Sequence, residues 1–363
     1  MENEIQLQSV TNGRRIEADG AKCLAILFMA IIHCMETFEV DLSHGMGWLF
    51  NIISGGLLAA PVFMFCMGMG FAYSRRTSQK YLVTRGLKIF FLGYLLNFLR
   101  EAAPLMYCRL VGDTEAATAA LTAFAEVDIM QFAGLSMILT GLLQKTKNPP
   151  VYAVAVGICL SMVQTFLPCY EYESLFPGAL IALLFHTEVP YAEMAFPLFG
   201  WFLLPAVGYF FGTMQKKAEH PVRFLLKTGI CCGVCGTFYF VLGKRIGFGM
   251  ISDSALFYKM PLPDGVANAC LVPALLLLMY GLLYAAPLPV KQTVIRISRQ
   301  VNTIYFIHWI VIEWFVHLVL QYILGLSMGL GLSALIGIFV LLVTLLLSFW
   351  YHDRCPIRKH SNA

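Results

Sequence analysis

The stretch RRIEADGAKCLAILFMAIIHC, residues 14–34, is apolar enough to enter a bilayer yet carries an acid, a base and an imidazole. Ionisable groups at that depth are costly, so they face a protein interior or a water-filled cavity and mark function. Asp19 and Lys22 stand one helical turn apart and share a face, where they can pair. His33 comes three turns after Lys22, close to the same face and roughly 16 Å deeper. One helix therefore holds a charged pair near a membrane surface and an imidazole near the midplane.

Around this segment the whole chain has the same character. Hydrophobic residues make up 59% of the 363 and charged residues 13%, whereas a soluble domain carries about a quarter charged. The apolar residues gather in runs of roughly twenty, the length a helix needs to cross the hydrocarbon. The fold class expected is all-α, a polytopic membrane protein of ten helices. The spans fall at about 21–40, 51–74, 83–100, 127–144, 150–168, 195–214, 222–243, 266–287, 302–324 and 331–351.

Lys and Arg set the direction. With the N-terminus inside, 20 of the 25 Lys and Arg residues face the cytoplasm, and only Arg100, Arg109, Lys244, Arg245 and Lys259 face out. That is the positive-inside bias, and it places both termini in the cytoplasm. The polar start lacks a short apolar core with a cleavage site, so no cleavable signal peptide is expected. No composition break divides the chain, which reads as one domain over 1–363, with a cytoplasmic segment at 1–20 and a tail at 352–363. A short chain of this kind suits a prokaryotic plasma membrane. The net charge of +4 is topogenic and offers nothing to a nucleic acid.

Eleven cysteines lie mostly in apolar spans. CCGVC (231–235) has no partnering His and no second CxxC, so Cys231, Cys232 and Cys235 read as small packing residues, and no metal is implied. Cys108 and Cys169 both fall near the outer face, where they are candidates to pair. GxxxG spacings at Gly229/Gly233 and Gly325/Gly329 suit close helix packing, and small-residue faces allow a homodimer. Two outward connections are long, about 101–126 and 244–265, the first with room for a short amphipathic helix. Long connections usually cover a site or contribute to it. VKQTVIRISRQ (290–300) reads as a helix lying on the cytoplasmic surface among lipid headgroups.

Further polar positions join the first span. APVFMFCMGMGFAYSRR (60–76) places Gly68 and Gly70 beneath a rim of Arg75 and Arg76. KYLVTRGLKIFFLGYLLNFLRE (80–101) adds Arg85 and Lys88 one turn apart. Five cations between 75 and 88 exceed what orientation requires. They suit either anionic lipid headgroups or a cytoplasmic phosphate-bearing ligand. At the outer end of the fourth span, Asp128 and Gln131 are one turn apart. The ninth holds NTIYFIHWIVIEWF (302–315), with Tyr305, His308, Trp309 and Glu313 at three- and four-residue steps. Glu313 needs a partner, and His33 is a candidate. A carboxylate beside an imidazole fixes its tautomer and raises its basicity, as a general base requires.

These residues resemble the transmembrane acyltransferases, namely the acyltransferase-3 family and the heparan-α-glucosaminide N-acetyltransferase-like proteins. There the first span carries Asp-Gly-x-Arg with a His fourteen residues after the Asp. Here Asp19-Gly20-Ala21-Lys22 and His33 keep that spacing, with Lys in place of Arg. FMFCMGMGF (63–71) looks like the aromatic-Gly element of the second span, and RGLKIF (85–90) like the basic entry of the third. VDIMQFAGL (127–135) is similar to the Asp-Ile-Leu-Gln element. FPLFGWFLLPAVGYFFG (196–212) is like the Phe-Pro-Leu-Phe-Pro-Trp element, with Gly200 where Pro is usual. SRQVNTIYFIHW (298–309) is like the Tyr-x-x-His ending. The elements keep their order from residue 15 to about 314.

The resemblance implies an integral membrane enzyme that moves an acetyl or short acyl group from cytoplasmic acyl-CoA, acetyl-CoA above all. The acceptor would be a hydroxyl or amine of a carbohydrate-like molecule of the cell envelope. His33 would be catalytic as general base or transient acyl carrier, with Asp19 and Glu313 in support. Lys22, Arg75, Arg76, Arg85 and Lys88 would bind the anionic cofactor, although Lys22 lacks the bidentate fork of Arg. Asp128, Gln131, Tyr305, His308 and Trp309 would hold the acceptor. Two other classes stay open on composition: a proton-coupled secondary transporter and a membrane sensor or assembly protein without chemistry. No internal repeat relates the two halves as many carriers require.

Overall fold

The protein is described as a computed structural model over residues 14–41, 45–47, 59–189, 194–253 and 256–354. The first part of the expected second span (51–58) and the tail beyond 354 lie outside the described residues. Among the described residues, fifteen α-helices are named: α1 Ile16–Thr37, α2 Ala60–Tyr73, α3 Gln79–Val111, α4 Thr114–Thr122, α5 Ile129–Leu143, α6 Pro149–Phe166, α7 Leu175–Ala182, α8 Leu198–Trp201, α9 Leu203–Lys217, α10 Pro221–Ile246, α11 Leu256–Lys259, α12 Leu262–Ala285, α13 Leu288–Arg299, α14 Val301–Val311 and α15 Leu330–Arg354. A π-helical stretch, Ile312–Ile323, continues α14. Two short strands, β1 Tyr170–Glu171 and β2 Thr187–Glu188, pair in parallel between α6 and α8.

This is an all-α polytopic membrane fold. Among the described residues, seven helices are long and apolar enough to cross a membrane: α1, α3, α6, α10, α12, α14 with its π-helical extension, and α15. The expected spans at 51–74 and 127–144 fall on the shorter apolar helices α2 and α5, and 195–214 falls on α8 and α9. Polar caps set several of the ends. Ser78 Oγ accepts from the Tyr81 amide to open α3, and Asp128 with Gln131 forms a capping box at α5.

α1 is central. It packs against α2, α12, α13, α14 and α15, and most of its residues are buried. α2 and α9 approach most closely where Gly68 meets Pro205 and Gly208 meets Phe65. A Cβ at Gly68 would sit 2.0 Å from the Pro205 carbonyl oxygen, and one at Gly208 2.1 Å from that of Phe65. Any side chain there would force the two helices apart.

Three expectations are corrected and two are met. The third span does not stop at Arg100: α3 runs on to Val111 and ends at Gly112, whose φ of 79° is left-handed. The connection 101–126 holds the expected short helix, α4, and the end of α3 makes up most of the rest. Gly229 and Gly233 do pack tightly, against Leu277 and Ala274 of α12. Gly325 and Gly329 do not, because Gly325 has φ +61° in the turn after the π-helical stretch and a Cβ on either would meet nothing. Cys108 and Cys169 are both free thiols.

Candidate functional site

At the N-terminal end of α1 the sequence's charged pair becomes a larger cluster. Asp19, 2% exposed, accepts hydrogen bonds from Arg14 Nε and Nη2 at 3.0 and 2.8 Å, Lys22 Nζ at 3.1 Å and Ser298 Oγ at 2.5 Å. The Ser298 bond ties α1 to α13, and the hydrogen bonds to Asp19 raise the Arg14 guanidinium pKa above its ordinary value. Beside it, Arg15 donates to the Tyr73 hydroxyl, Tyr73 donates to Gln215, and Gln215 donates to Glu17, each at 3.0 Å. α1, α2 and α9 are thereby fixed to one another. Asp19 is fourteen residues from His33, about 21 Å along the helix. The structure does not bring it to the imidazole; it organises cations instead.

Next to this cluster opens a cavity of about 440 Å³. Arg14, Lys22, Arg76, Arg85 and Arg299 rim it, apolar side chains from α2 and α5 wall it, and Tyr305 is part of its lining. Gly70 lines the wall, and a Cβ there would meet nothing within 4 Å, so its missing side chain is cavity space. Of the expected cofactor-binding residues, Lys22, Arg76 and Arg85 line the cavity. Arg75 and Lys88 do not. Lys88, three residues past Arg85, is turned about 60° away around the helix.

Beyond Tyr305 lies a polar layer assembled from α1, α3, α5 and α14. The Tyr305 hydroxyl donates to Asp128. Arg100 Nη1 is 3.9 Å from Asp128 Oδ2, and Nη2 pairs with Glu126. The guanidinium also lies 4.7 Å over the Trp309 ring. The Trp309 ring is 4.4 Å from that of His33, and His308 stands 5.8 Å from His33 and 5.1 Å from Tyr305. His308 is fully buried; its Nε2 has no hydrogen-bond partner among the described residues.

On the far side is a second cavity, about 390 Å³, lined by Glu36, Glu39, Glu101, Glu126, Glu313 and His317 among others. At its rim the Tyr322 hydroxyl donates to Asp113, a bond that holds that carboxyl below its ordinary pKa. His33 reaches this side: its Nδ1 is 2.8 Å from Glu36 Oε2, and its side chain is 24% exposed. Glu313, expected as a partner of His33, pairs with His317 at 2.9 Å on its own helix. Gln131 is likewise not presented to a ligand. It is fully buried, accepts from the Asp128 amide in the capping box and fills the notch left by Gly93.

Arg100, Glu126, Glu36 and Arg14 are the functional candidates that sequence reasoning passed over. For Arg100 a signal existed: a basic residue beside an acid, within helical reach of an apolar run, that the charge bias left on the wrong side. No curated protein and no solved structure matches the chain. A profile described as heparan-alpha-glucosaminide N-acetyltransferase, catalytic, matches residues 14–230, which include Asp19, Lys22, His33, Arg100 and Asp128, while Tyr305 and His308 follow after them. Covering more than half of the chain, that match places the protein in the heparan-alpha-glucosaminide N-acetyltransferase family of membrane acetyltransferases.

Proposed function

We propose that the protein transfers an acetyl group from cytoplasmic acetyl-CoA to a hydroxyl or amine of a carbohydrate-like acceptor entering from the opposite side. One observation carries this reading. Two cavities of opposite charge end on the same polar layer, one rimmed by arginine and lysine and the other by glutamate. Coenzyme A is polyanionic and suits the first, where guanidinium groups match phosphate geometry. The apolar walls beyond the rim suit its pantetheine arm. A hydroxyl-rich or cationic acceptor suits the second, since carboxylates accept from such donors.

His33 is assigned the transfer of the proton. With Nδ1 donating to Glu36, the basic lone pair of the ring lies on Nε2. The acceptor O–H or N–H gives its proton to Nε2 as its heteroatom bonds to the thioester carbon. The C–S bond then breaks, and the departing CoA thiolate takes up that proton. Tyr305 and His308 stand between the basic cavity and His33 and are assigned to positioning the acyl group. Arg100 and Asp128 fix Tyr305. A short-lived acyl-histidine is the alternative path through the same ring.

Purified protein given labelled acetyl-CoA and a candidate amino sugar or polysaccharide should release CoA only when the acceptor is present. His33→Ala should lower kcat by about 10²- to 10⁴-fold, the range for loss of a general base, while acetyl-CoA binding stays intact. Movement of solute across proteoliposomes without thiol release would instead identify a carrier and overturn the proposal.

A further inference from the structure

The outer segment between α6 and α8 contains a group of side chains that the acyl-transfer reading does not use. The parallel ladder sets Tyr170 opposite Thr187 and Glu171 opposite Glu188. Extending the register by one residue sets Cys169 opposite His186. Alternate residues of a strand share a face, so Cys169 and Glu171 lie on the same face as His186 and Glu188. Cys169, His186 and Glu188 each offer one ligand atom, and these three atoms lie within 4.8 Å of one another. Cys169 Sγ is 3.7 Å from Glu188 Oε1, close to the roughly 3.5 Å edge of a tetrahedron built on zinc–sulfur and zinc–oxygen bonds of about 2.3 and 2.0 Å.

We propose that Cys169, His186 and Glu188 bind a zinc ion that staples this outer segment. The donor set is a thiol, an imidazole and a carboxylate, the three types that zinc takes, with a fourth position left for Glu171 or water. A calcium or magnesium ion would seek oxygen ligands only. Two further observations favour a bound ion. The Nδ1 of His186 is buried and has no hydrogen-bond partner among the described residues. In addition, two strands of two residues make a ladder too short to hold itself, and a cross-link at its first rung supplies what the backbone lacks. No spacing in the sequence announces the site. Cys169 and Glu188 are nineteen residues apart, and only the crossover through α7 joins them.

The staple would bear on the active layer. The segment's hydrophobic cluster, Ala179, Ala182, Val189 and Met194, closes over Val127. The Ala195 amide donates to the Val127 carbonyl at 2.9 Å, one residue before Asp128. Zinc is thus assigned to bracing the strand-like entry to α5 from behind, with no part in the transfer itself.

The test uses the full chain, purified in detergent, stripped with chelator and titrated with zinc chloride alone. One zinc per chain should bind, and the melting temperature should rise with it. Cys169→Ser and His186→Ala should each weaken binding by about a hundredfold or more, since losing even an outer-shell partner of a metal ligand costs about 10–100-fold. Glu173→Gln, an exposed acid of the same segment outside the set, should bind like the parent. Cobalt(II) in place of zinc should give the parent a thiolate-to-metal charge-transfer band that Cys169→Ser lacks. That spectrum decides the matter even if a variant melts early. A parent that takes up no stoichiometric zinc, or a cobalt band that survives in Cys169→Ser, overturns the proposal.

Discussion

The two cavities differ in how their charges are held. In the basic one the cations stand at the rim: Lys22 and Arg14 keep side-chain exposures of 20% and 32%, and the buried ion is the carboxylate of Asp19 that gathers them. The acidic cavity inverts this arrangement. Its carboxylates line the space, and the buried ion is a cation, Arg100, 4% exposed, enclosed by Glu101, Glu126, Asp128 and the Trp309 ring. Each cavity therefore borders a buried charge of the sign opposite to most of its lining, and in the acidic one Arg100 is buried together with Glu101. A solvated rim can exchange partners and admit a large anionic ligand. A desolvated cation locked among carboxylates holds a layer still.

The strongest way to break that contrast is to remove its buried cation. Arg100→Met leaves Glu126 and Asp128 without their counter-charge in a desolvated place. Breaking one side of a buried ion pair costs about 3–5 kcal/mol. The variant should melt well below the parent, and adding Glu126→Gln should restore part of the loss. An Arg100→Met protein that melts with the parent would mean that the layer is not held by charge.

A smaller effect is expected at Glu36, which is half exposed, lines the acidic cavity and pairs with His33. A charge-assisted hydrogen bond contributes about 1.5 kcal/mol at the low end of its range, so Glu36→Gln should lower kcat about tenfold. KM for acetyl-CoA should not move, because Glu36 belongs to the other cavity. Glu36→Asp should recover part of the rate. A change in KM with kcat intact would assign Glu36 to the donor side and dissolve the division between the cavities.

How much of this was legible in the sequence follows from distance along the chain. Membrane spans declare themselves through local hydropathy, and seven of the helices among the described residues are long and apolar enough to cross a membrane. Asp19, Lys22 and His33 share one helix, so periodicity alone aligned them. The pairings across the molecule were not legible. Tyr305 meets Asp128 across 177 residues, and nothing local in either segment names the other. Arg100 was hidden for another reason: outward cations are the exceptions that a topology rule tolerates, so a buried one looks like noise. Glu36 lies one turn after His33 on the same helix, at its exposed end, where a carboxylate reads as ordinary surface charge.

The finest test separates cations that line the basic cavity from neighbours that only orient the chain. Arg76 and Arg85 line it; Arg75 and Lys88, one and three residues away in sequence, do not. All four are exposed, so each contributes modestly and in a salt-dependent way. The double variant Arg76→Gln/Arg85→Gln should raise KM for acetyl-CoA about fivefold with kcat unchanged, and it should flatten the dependence of KM on salt. Arg75→Gln/Lys88→Gln removes the same charge from the same surface and should change KM less than about twofold. Because net charge is matched, a general attraction of the surface for an anion predicts equal effects. Unequal effects place the cofactor's phosphates against two particular guanidinium groups, and equal ones would leave the rim as topogenic charge.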